Sequence, residues 1–408
     1  MRTKRGPLAL ITIAIMLFSA CTSTPASQAP AASQASSAPA SASASGGASP
    51  SASAATGFAA CGQENAGTAV KVGGVTDVGT LEDKSFNEAG WCGTLKGSTA
   101  AGGTAKVIVT AKTSDYATNI QTLVDQGFTI IVTYGFALGN ATAIAAKQFP
   151  KVSFIGIDQF ICITPAGAPD TATPQKCAGD PSKLLPNYQG LNFAEAQAGY
   201  LAGVIAGSLT KTNVIGTVGG IKTVPPVPQY MGGYQNGALS VNPGVKVLSA
   251  FVSTDITKAF NDPATGKSIA QQMFQQKADV LFQVAGSSGQ GVLQVACDNN
   301  LYGIGVDIDQ ALSAPNLAKC IVTSAEKKLV DSTAAAIQNV VAGTAKGGNV
   351  FLNASSTPPG VGLAPYHDNA SLITPDIQAK VDKAFADLKG GALDPCKGPG
   401  VCFFDPDK

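Results

Sequence analysis

Just beyond the apolar run Val70 to Val75, the chain sets Asp83, Lys84, Ser85, Phe86 and Asn87 side by side before a stretch with helical apolar spacing. One ring among a carboxylate, an ammonium, a hydroxyl and an amide suits a small ligand with a flat apolar face and polar edges. On these residues alone Phe86 is more simply read as a core anchor for the following helix. Other candidate chemistry is weaker. Residues 262–268, DPATGKS, carry the ending of a phosphate-binding loop, but Asn261 stands where that loop needs Gly and no strand runs into it, so a surface turn is expected. Residues 285–291, AGSSGQG, lie between a strand and a helix with the spacing of neither common glycine fingerprint, which implies close approach to the backbone by a ligand or by a neighbouring strand. Asp307 and Asp309 are a carboxylate pair, more simply read as turn residues or hydroxyl acceptors than as an acid and a base. The sole histidine, His367, sits in a Pro- and Gly-rich loop, which leaves Ser-His-Asp and Cys-His chemistry without support and disfavours an enzyme.

The elements that must position these residues follow from composition and order. Arg2, Lys4 and Arg5, the apolar run Leu8 to Phe18, and Ser19-Ala20-Cys21 have the order of an export signal over residues 1–21. The run is far shorter than the roughly 20 residues that cross a bilayer. The residues before Cys21 resemble the lipobox of bacterial lipoproteins, with Phe18 where Leu is usual. Residues 22–57 are nearly all small and polar, too poor in apolar surface to order, and read as a tether reaching on the order of 30 Å. Net charge is +1 with 13% charged residues and no basic run beyond the signal, which disfavours nucleic acid as a partner.

Nine cysteines are present, and setting Cys21 aside as the lipidation site leaves an even number in an exported chain. Proximity along the chain suggests Cys61 with Cys92, Cys162 with Cys177, Cys297 with Cys320 and Cys396 with Cys402, the last pair in a tail over 396–408. Zinc would need close ligand pairs that are not there, so no metal is expected.

From Thr68 onward, short β-branched runs alternate with helix-like segments such as Tyr116, Ile120, Leu123 and Val124. Alternation of this kind predicts an α/β fold with parallel sheets, and about 350 residues favour two lobes. Ligands of such sheets bind beyond the carboxyl ends of the strands, where nearly every run here ends in a Gly, Asp, Ser or Thr-rich turn.

An ordered set of segments, DKSFNEAGW, FIGID, NFAEAQAGYLAG, GTVGGIKTVPPVPQYMGGYQNG, ADVLFQVAGSSGQGV, IGVDIDQ and TSAEKKLVDSTAAAI, resembles the basic membrane protein family of bacterial lipoproteins, nucleoside-binding receptors of ABC importers. The resemblance covers about Val70 to Leu388. It implies a type I periplasmic-binding-protein fold, two Rossmann-like lobes joined by three crossovers, with residues 68–187 plus 326–347 in lobe 1 and residues 188–325 plus 348–395 in lobe 2. It also implies ligand roles. Phe86 and Tyr230 would cover the two faces of a base, Asn87 would offer an amide, and Asp158 would face base N-H groups. Asp307 and Lys327 would bind ribose hydroxyls, and Gly286 would allow close backbone approach. Tyr230 stands where Phe is common, Glu326 precedes the matched Lys, and residues 162–183 form an insertion beside Asp158. The partners implied are a nucleoside, a membrane permease and its ATPase, for a monomer held at the outer membrane face by Cys21, with no cofactor and no catalysis. A sugar receptor of the same fold, or a structural or adhesive lipoprotein, are the alternatives.

Overall fold

The computed structural model of this protein describes residues 61, 64–170 and 177–402. The export signal, the tether and Cys21 lie outside the described residues. The first sheet is built from β1 (Asn65–Ala66), β2 (Lys71–Thr76), β3 (Thr104–Ile108), β4 (Ile130–Tyr134), β5 (Ser153–Ile157), β6 (Tyr188–Phe193) and β12 (Gly348–Leu352). Their order is β1-β3-β2-β4-β5-β6-β12, parallel except for β1. The second is built from β7 (Val214–Gly219), β8 (Lys246–Phe251), β9 (Val280–Val284), β10 (Tyr302–Asp307), β11 (Ile321–Lys327) and β13 (Val361–Leu363). Its order is β13-β11-β10-β9-β7-β8, parallel except for β13. The central strands β4 and β9 are buried at every residue, as both-face coverage by helices requires.

The chain passes between the sheets three times, after Phe193, after Lys327 and after Leu352. All three boundaries therefore differ from the sequence expectation, the smallest difference being at residue 326, where the first lobe was expected to resume although Glu326 and Lys327 end β11 of the second sheet. The second lobe was expected to begin at residue 188 and to resume at 348, but β6 pairs in parallel with β5 and β12 pairs in parallel with β6, so both belong to the first sheet. A short apolar strand has the same period in either sheet, and only the pairing register assigns it. The DPATGKS segment is likewise not a turn. It opens a helix over Pro263–Gln275, whose N-cap Asp262 accepts from the Thr265 N-H at 2.9 Å.

Main helices of the first lobe include α1 (Phe86–Ala100), α2 (Tyr116–Asp125) and α3 (Gly139–Gln148). The second lobe carries α4 (Glu195–Leu209) and α5 (Pro226–Val241), then α6 (the helix from Pro263) and α7 (Gly286–Asp298). After the second crossover α8 (Leu329–Val341) returns to pack on α1, and α9 (Pro375–Lys389) packs on α4. The α4 and α5 contact is reciprocal. A Cβ on Gly199 or Gly203 would collide with the carbonyls of Tyr230 or Tyr234, and one on Gly233 or Gly237 with those of Ala196 or Tyr200. Backbones this close leave no room for a methyl group, and the contact fixes the turn of α5 that carries Tyr230.

The four disulfides join Cys61 to Cys92, Cys162 to Cys177, Cys297 to Cys320 and Cys396 to Cys402. The last closes a tail that lies on α5, where Asn236 Nδ2 donates to the Pro395 and Gly400 carbonyls and its Oδ1 accepts from Gly400 N-H. Among the described residues no helix is long and apolar enough to cross a membrane. Replacing Gly203 with Val should cost about 1–3 kcal/mol or more in denaturant unfolding. Gly244→Ala, whose new Cβ would meet only the Asn242 side chain at 3.8 Å, should stay within about 0.5 kcal/mol of wild type.

Candidate functional site

The carboxyl ends of the two sheets face one shared cleft. Phe86, Asn87, Asp158, Tyr230, Gly286, Asp307 and Lys327 all line it, brought from four strand ends and two helices. The cysteines lie elsewhere, and none of the described residues of the 162–183 insertion lines the cleft.

Phe86 is placed by its neighbour Asp83, whose carboxylate accepts from the N-H groups of Ser85 and Asn87 at 2.9 Å and of Glu88 at 3.2 Å. These are free donors of a helix N-terminus, so the buried carboxylate both ends the loop and starts α1. Asn87 departs from its expected role. Its Nδ2 donates to the Val78 and Thr80 carbonyls at 2.9 and 3.0 Å, pinning the loop, and its Oδ1 is buried without a hydrogen-bond partner. Because carbonyls only accept, this orientation of the amide is forced, and Asn87 has an acceptor to offer rather than a donor.

Asp158 follows β5 and Asp307 ends β10, and both adopt left-handed backbone conformations with φ of 57° and 68°. Non-glycine residues rarely do so, and Asp does so more readily than most. Gly286 beside them has φ of 52°. Tyr230 is fully buried on α5, with its hydroxyl donating to the Ala325 carbonyl at 3.3 Å and its ring meeting Phe282 edge-on at 6.1 Å. The hydroxyl that distinguishes Tyr from Phe here is thus taken up by the second sheet.

Lys327 ties these groups together. Its ammonium is 2.5 Å from Asp158, 3.5 Å from Asp307 and 3.6 Å from Glu195, with the Lys side chain 2% exposed. It also lies 4.9 Å from the centre of the Phe86 ring and 5.7 Å from that of Tyr230, both within cation-π range. Glu326, one residue earlier on β11, points to the opposite face and pairs with Lys328. Glu195 was missed from the sequence, as were Asp77, Phe136 and Phe260, all three on the cleft wall. Asp77 had a signal available: like Asp158 and Asp307, it follows directly on a buried strand, and its carboxylate accepts from the Val78 N-H at 2.6 Å. Glu195 lies in the segment NFAEAQAGYLAG, but nothing in that helical stretch marks its carboxylate as the partner of Lys327, which only the fold brings to 3.6 Å.

Burial pushes the carboxyls of Asp77 and Asp83 up to about 7, against the pull of their backbone donors. Burial also pushes Glu195 up to about 8 in spite of Lys327, with Asp158 and Asp307 adding to the rise. Desolvation alone would lower Lys327, but Asp158, Asp307 and Glu195 together raise it, so the ammonium stays charged. A carboxyl whose pKa is raised on folding binds a proton in the folded state while the unfolded chain has released it. Stability then falls as pH climbs from the ordinary carboxylate range to about 7–8. Each pH unit of that window is worth about 1.4 kcal/mol per group. Melting temperature is expected to drop between pH 5 and pH 8.5, and Glu195→Gln should flatten the slope. A melting temperature that rises steadily over this window would contradict the assignment.

Comparison with known proteins agrees with the geometry. Residues 70–384 match the Bmp family model, described as ABC transporter substrate-binding protein PnrA-like. The ABC transporter nucleoside-binding protein BmpA of Lactococcus lactis subsp. cremoris is 33% identical over 255 residues, which cover 60% of this chain and 65% of that one. A CD4+ T-cell-stimulating antigen of Listeria monocytogenes is 30% identical over 329 residues, covering 76% of this chain and 83% of the relative. Among solved structures, an ABC transporter solute-binding protein from Aeropyrum pernix superposes with a TM-score of 0.66 at 20% identity, covering 80% of this chain and 92% of its own, a likeness of fold. Two lobes, three crossovers and a cleft at facing strand ends, read with the match over residues 70–384, establish that the chain belongs to the Bmp family of PnrA-like ABC transporter substrate-binding proteins.

Proposed function

We propose that this protein is an exported receptor of an ABC importer and that the solute it closes upon is a nucleoside. The observation that carries this reading is the meeting in one cleft of two rings, Phe86 and Tyr230, with the carboxylates Asp158 and Asp307 and the ammonium of Lys327. In this reading the rings take the faces of the base. Asp158, whose Oδ1 is buried without a hydrogen-bond partner, accepts a base N-H. Asp307 accepts ribose hydroxyl protons, and Lys327 donates to a ribose oxygen. The name of the Lactococcus relative supports a nucleoside as the solute class. Closure of the lobes is the output, since a permease that favours the closed form reads occupancy directly. Residues 1–21 and Cys21 support lipid anchoring of a monomer through the tether, with energy supplied by a separate ATPase. Lys327, the one cation among the described residues that line the cleft, is already engaged by Asp158, Asp307 and Glu195, so nucleosides should bind and their monophosphates should not.

A sugar receptor is the second reading, because the pairing of Asp307 and Lys327 would suit the hydroxyls of a free sugar as well as those of a ribose. Calorimetry separates the two. Guanosine is expected to bind with roughly micromolar affinity, about 8 kcal/mol, and free ribose to give no heat. Phe86→Ala should weaken guanosine about 5- to 150-fold, the loss of about 1–3 kcal/mol of stacking. Heat from free sugars alone would overturn the nucleoside reading. Mass analysis of the mature N-terminus should find a diacylated or triacylated Cys21, and an unmodified mature chain would exclude the anchor.

A further inference from the structure

We propose that Gln310 and Ser313 form a latch that captures the main-chain carbonyl of Lys84 and so stabilises lobe closure through protein groups alone. Lys84 lies just before α1 in the first lobe, and Gln310 and Ser313 follow β10 in the second. Gln310 Nε2 donates to the Lys84 oxygen at 2.8 Å and Ser313 Oγ donates to it at 2.9 Å, so both lone pairs of one carbonyl are used by the opposite lobe. Three features show that the arrangement is built rather than incidental.

First, Lys84 precedes the N-cap Ser85, whose carbonyl accepts the first helical bond from the Ala89 N-H at 3.0 Å, and Lys84 has a left-handed φ of 59°, so the Lys84 carbonyl stands outside the helix ladder and faces the other lobe. Second, Gln310 is fully buried and its orientation is dictated from behind. Its Oε1 accepts from Val306 N-H at 3.0 Å and from Gln283 Nε2 at 2.6 Å, while its own N-H donates to Ser324 Oγ at 3.0 Å. With the oxygen committed, only the amide hydrogens are left to face the first lobe. Third, neither Gln310 nor Ser313 lines the cleft, yet the neighbouring Ser85 hydroxyl donates to Asp307 Oδ2 at 2.6 Å, which places the latch directly beside a cleft carboxylate.

When the lobes part, water satisfies these groups, so the latch contributes only the net difference, about a tenfold shift between open and closed forms. Gln310 and Ser313 are thus positioning residues for closure. The inference rests on the two-lobed receptor reading and not on a particular solute.

The test uses Ser313→Ala, which removes one hydroxyl, and Gln310→Glu, which keeps the acceptor for Val306 and Gln283 but turns an oxygen toward the Lys84 carbonyl. Spin labels on non-natural residues at the exposed positions Lys112 and Lys258 report lobe separation in the full chain without added solute. Both variants should shift the distance distribution toward longer separations. With guanosine as the probe, both should raise the dissociation rate about tenfold while changing association about twofold or less. A change in melting temperature alone, with wild-type distances, would mean that the residues are merely structural and would overturn the latch. If Gln310→Glu does not fold, Ser313→Ala decides. If guanosine fails to bind, the nucleoside reading falls while the separation measured without solute still decides the latch.

Discussion

A single ammonium shared among three buried carboxylates is the constraint on which the site depends. An ion taken out of water is tolerated only when it is paired, and removing its partner leaves an uncompensated charge. Lys327 meets that requirement with Asp158 from the first sheet, Asp307 from the second, and Glu195 from the first residue of α4. Lys327 itself is the last residue of β11, immediately before the second crossover, and Glu195 stands immediately after the first. One ionic cluster therefore fixes the ends of β5 and β10 together with two of the three crossovers. A slip of one residue in β11 would send Lys327 to the face now occupied by Glu326 and strand three carboxylates.

The same cluster explains why this part of the molecule is organised against its own stability. Four carboxyls on or behind the cleft, those of Asp77, Asp83, Asp158 and Glu195, are raised by burial, and two of the cleft aspartates have left-handed backbones. Features of this kind persist where the surrounding structure over-determines them, and here the surroundings are rigid: fully buried central strands and helices packed backbone to backbone through Gly199, Gly203, Gly233 and Gly237.

Much of this was legible in the sequence, for identifiable reasons. Alternating β-branched and helical segments specify the α/β class, and the rule that ligands bind at the carboxyl ends of strands selects the turns after β2, β5, β9 and β10. The motif residues Phe86, Asp158, Tyr230, Asp307 and Lys327 were found because each belongs to a short segment with a recognisable pattern. What was not legible depends on pairing. Membership of β6 and β12 in the first sheet is a matter of register, to which periodicity is blind. The role of Asn87 turned on which carbonyls its amide reaches, and Glu195 on a partner far along the chain. Asp77 was the avoidable omission, since it sits at a strand end of the same kind as Asp158.

Two sets of contacts between the lobes, those of Lys327 and those of the Lys84 carbonyl, differ in their physics. Those through Lys327 are ionic, and any solute that donates hydrogen bonds to Asp158 or Asp307 must rearrange them, so they couple closure to the identity of what is bound. Those through the Lys84 carbonyl are neutral hydrogen bonds that lie outside the cleft, insensitive to salt and indifferent to the solute. A receptor built only on the first sort would close strongly on good ligands and hardly at all on weak ones. Adding the second raises the closed population by a constant factor, which slows release of every solute equally and leaves discrimination to the ionic cluster. Asp83 supports both: by taking the N-H groups of Ser85, Asn87 and Glu88 it starts α1, which presents Phe86 to the cleft and leaves the Lys84 carbonyl, just ahead of the helix, against the opposite lobe.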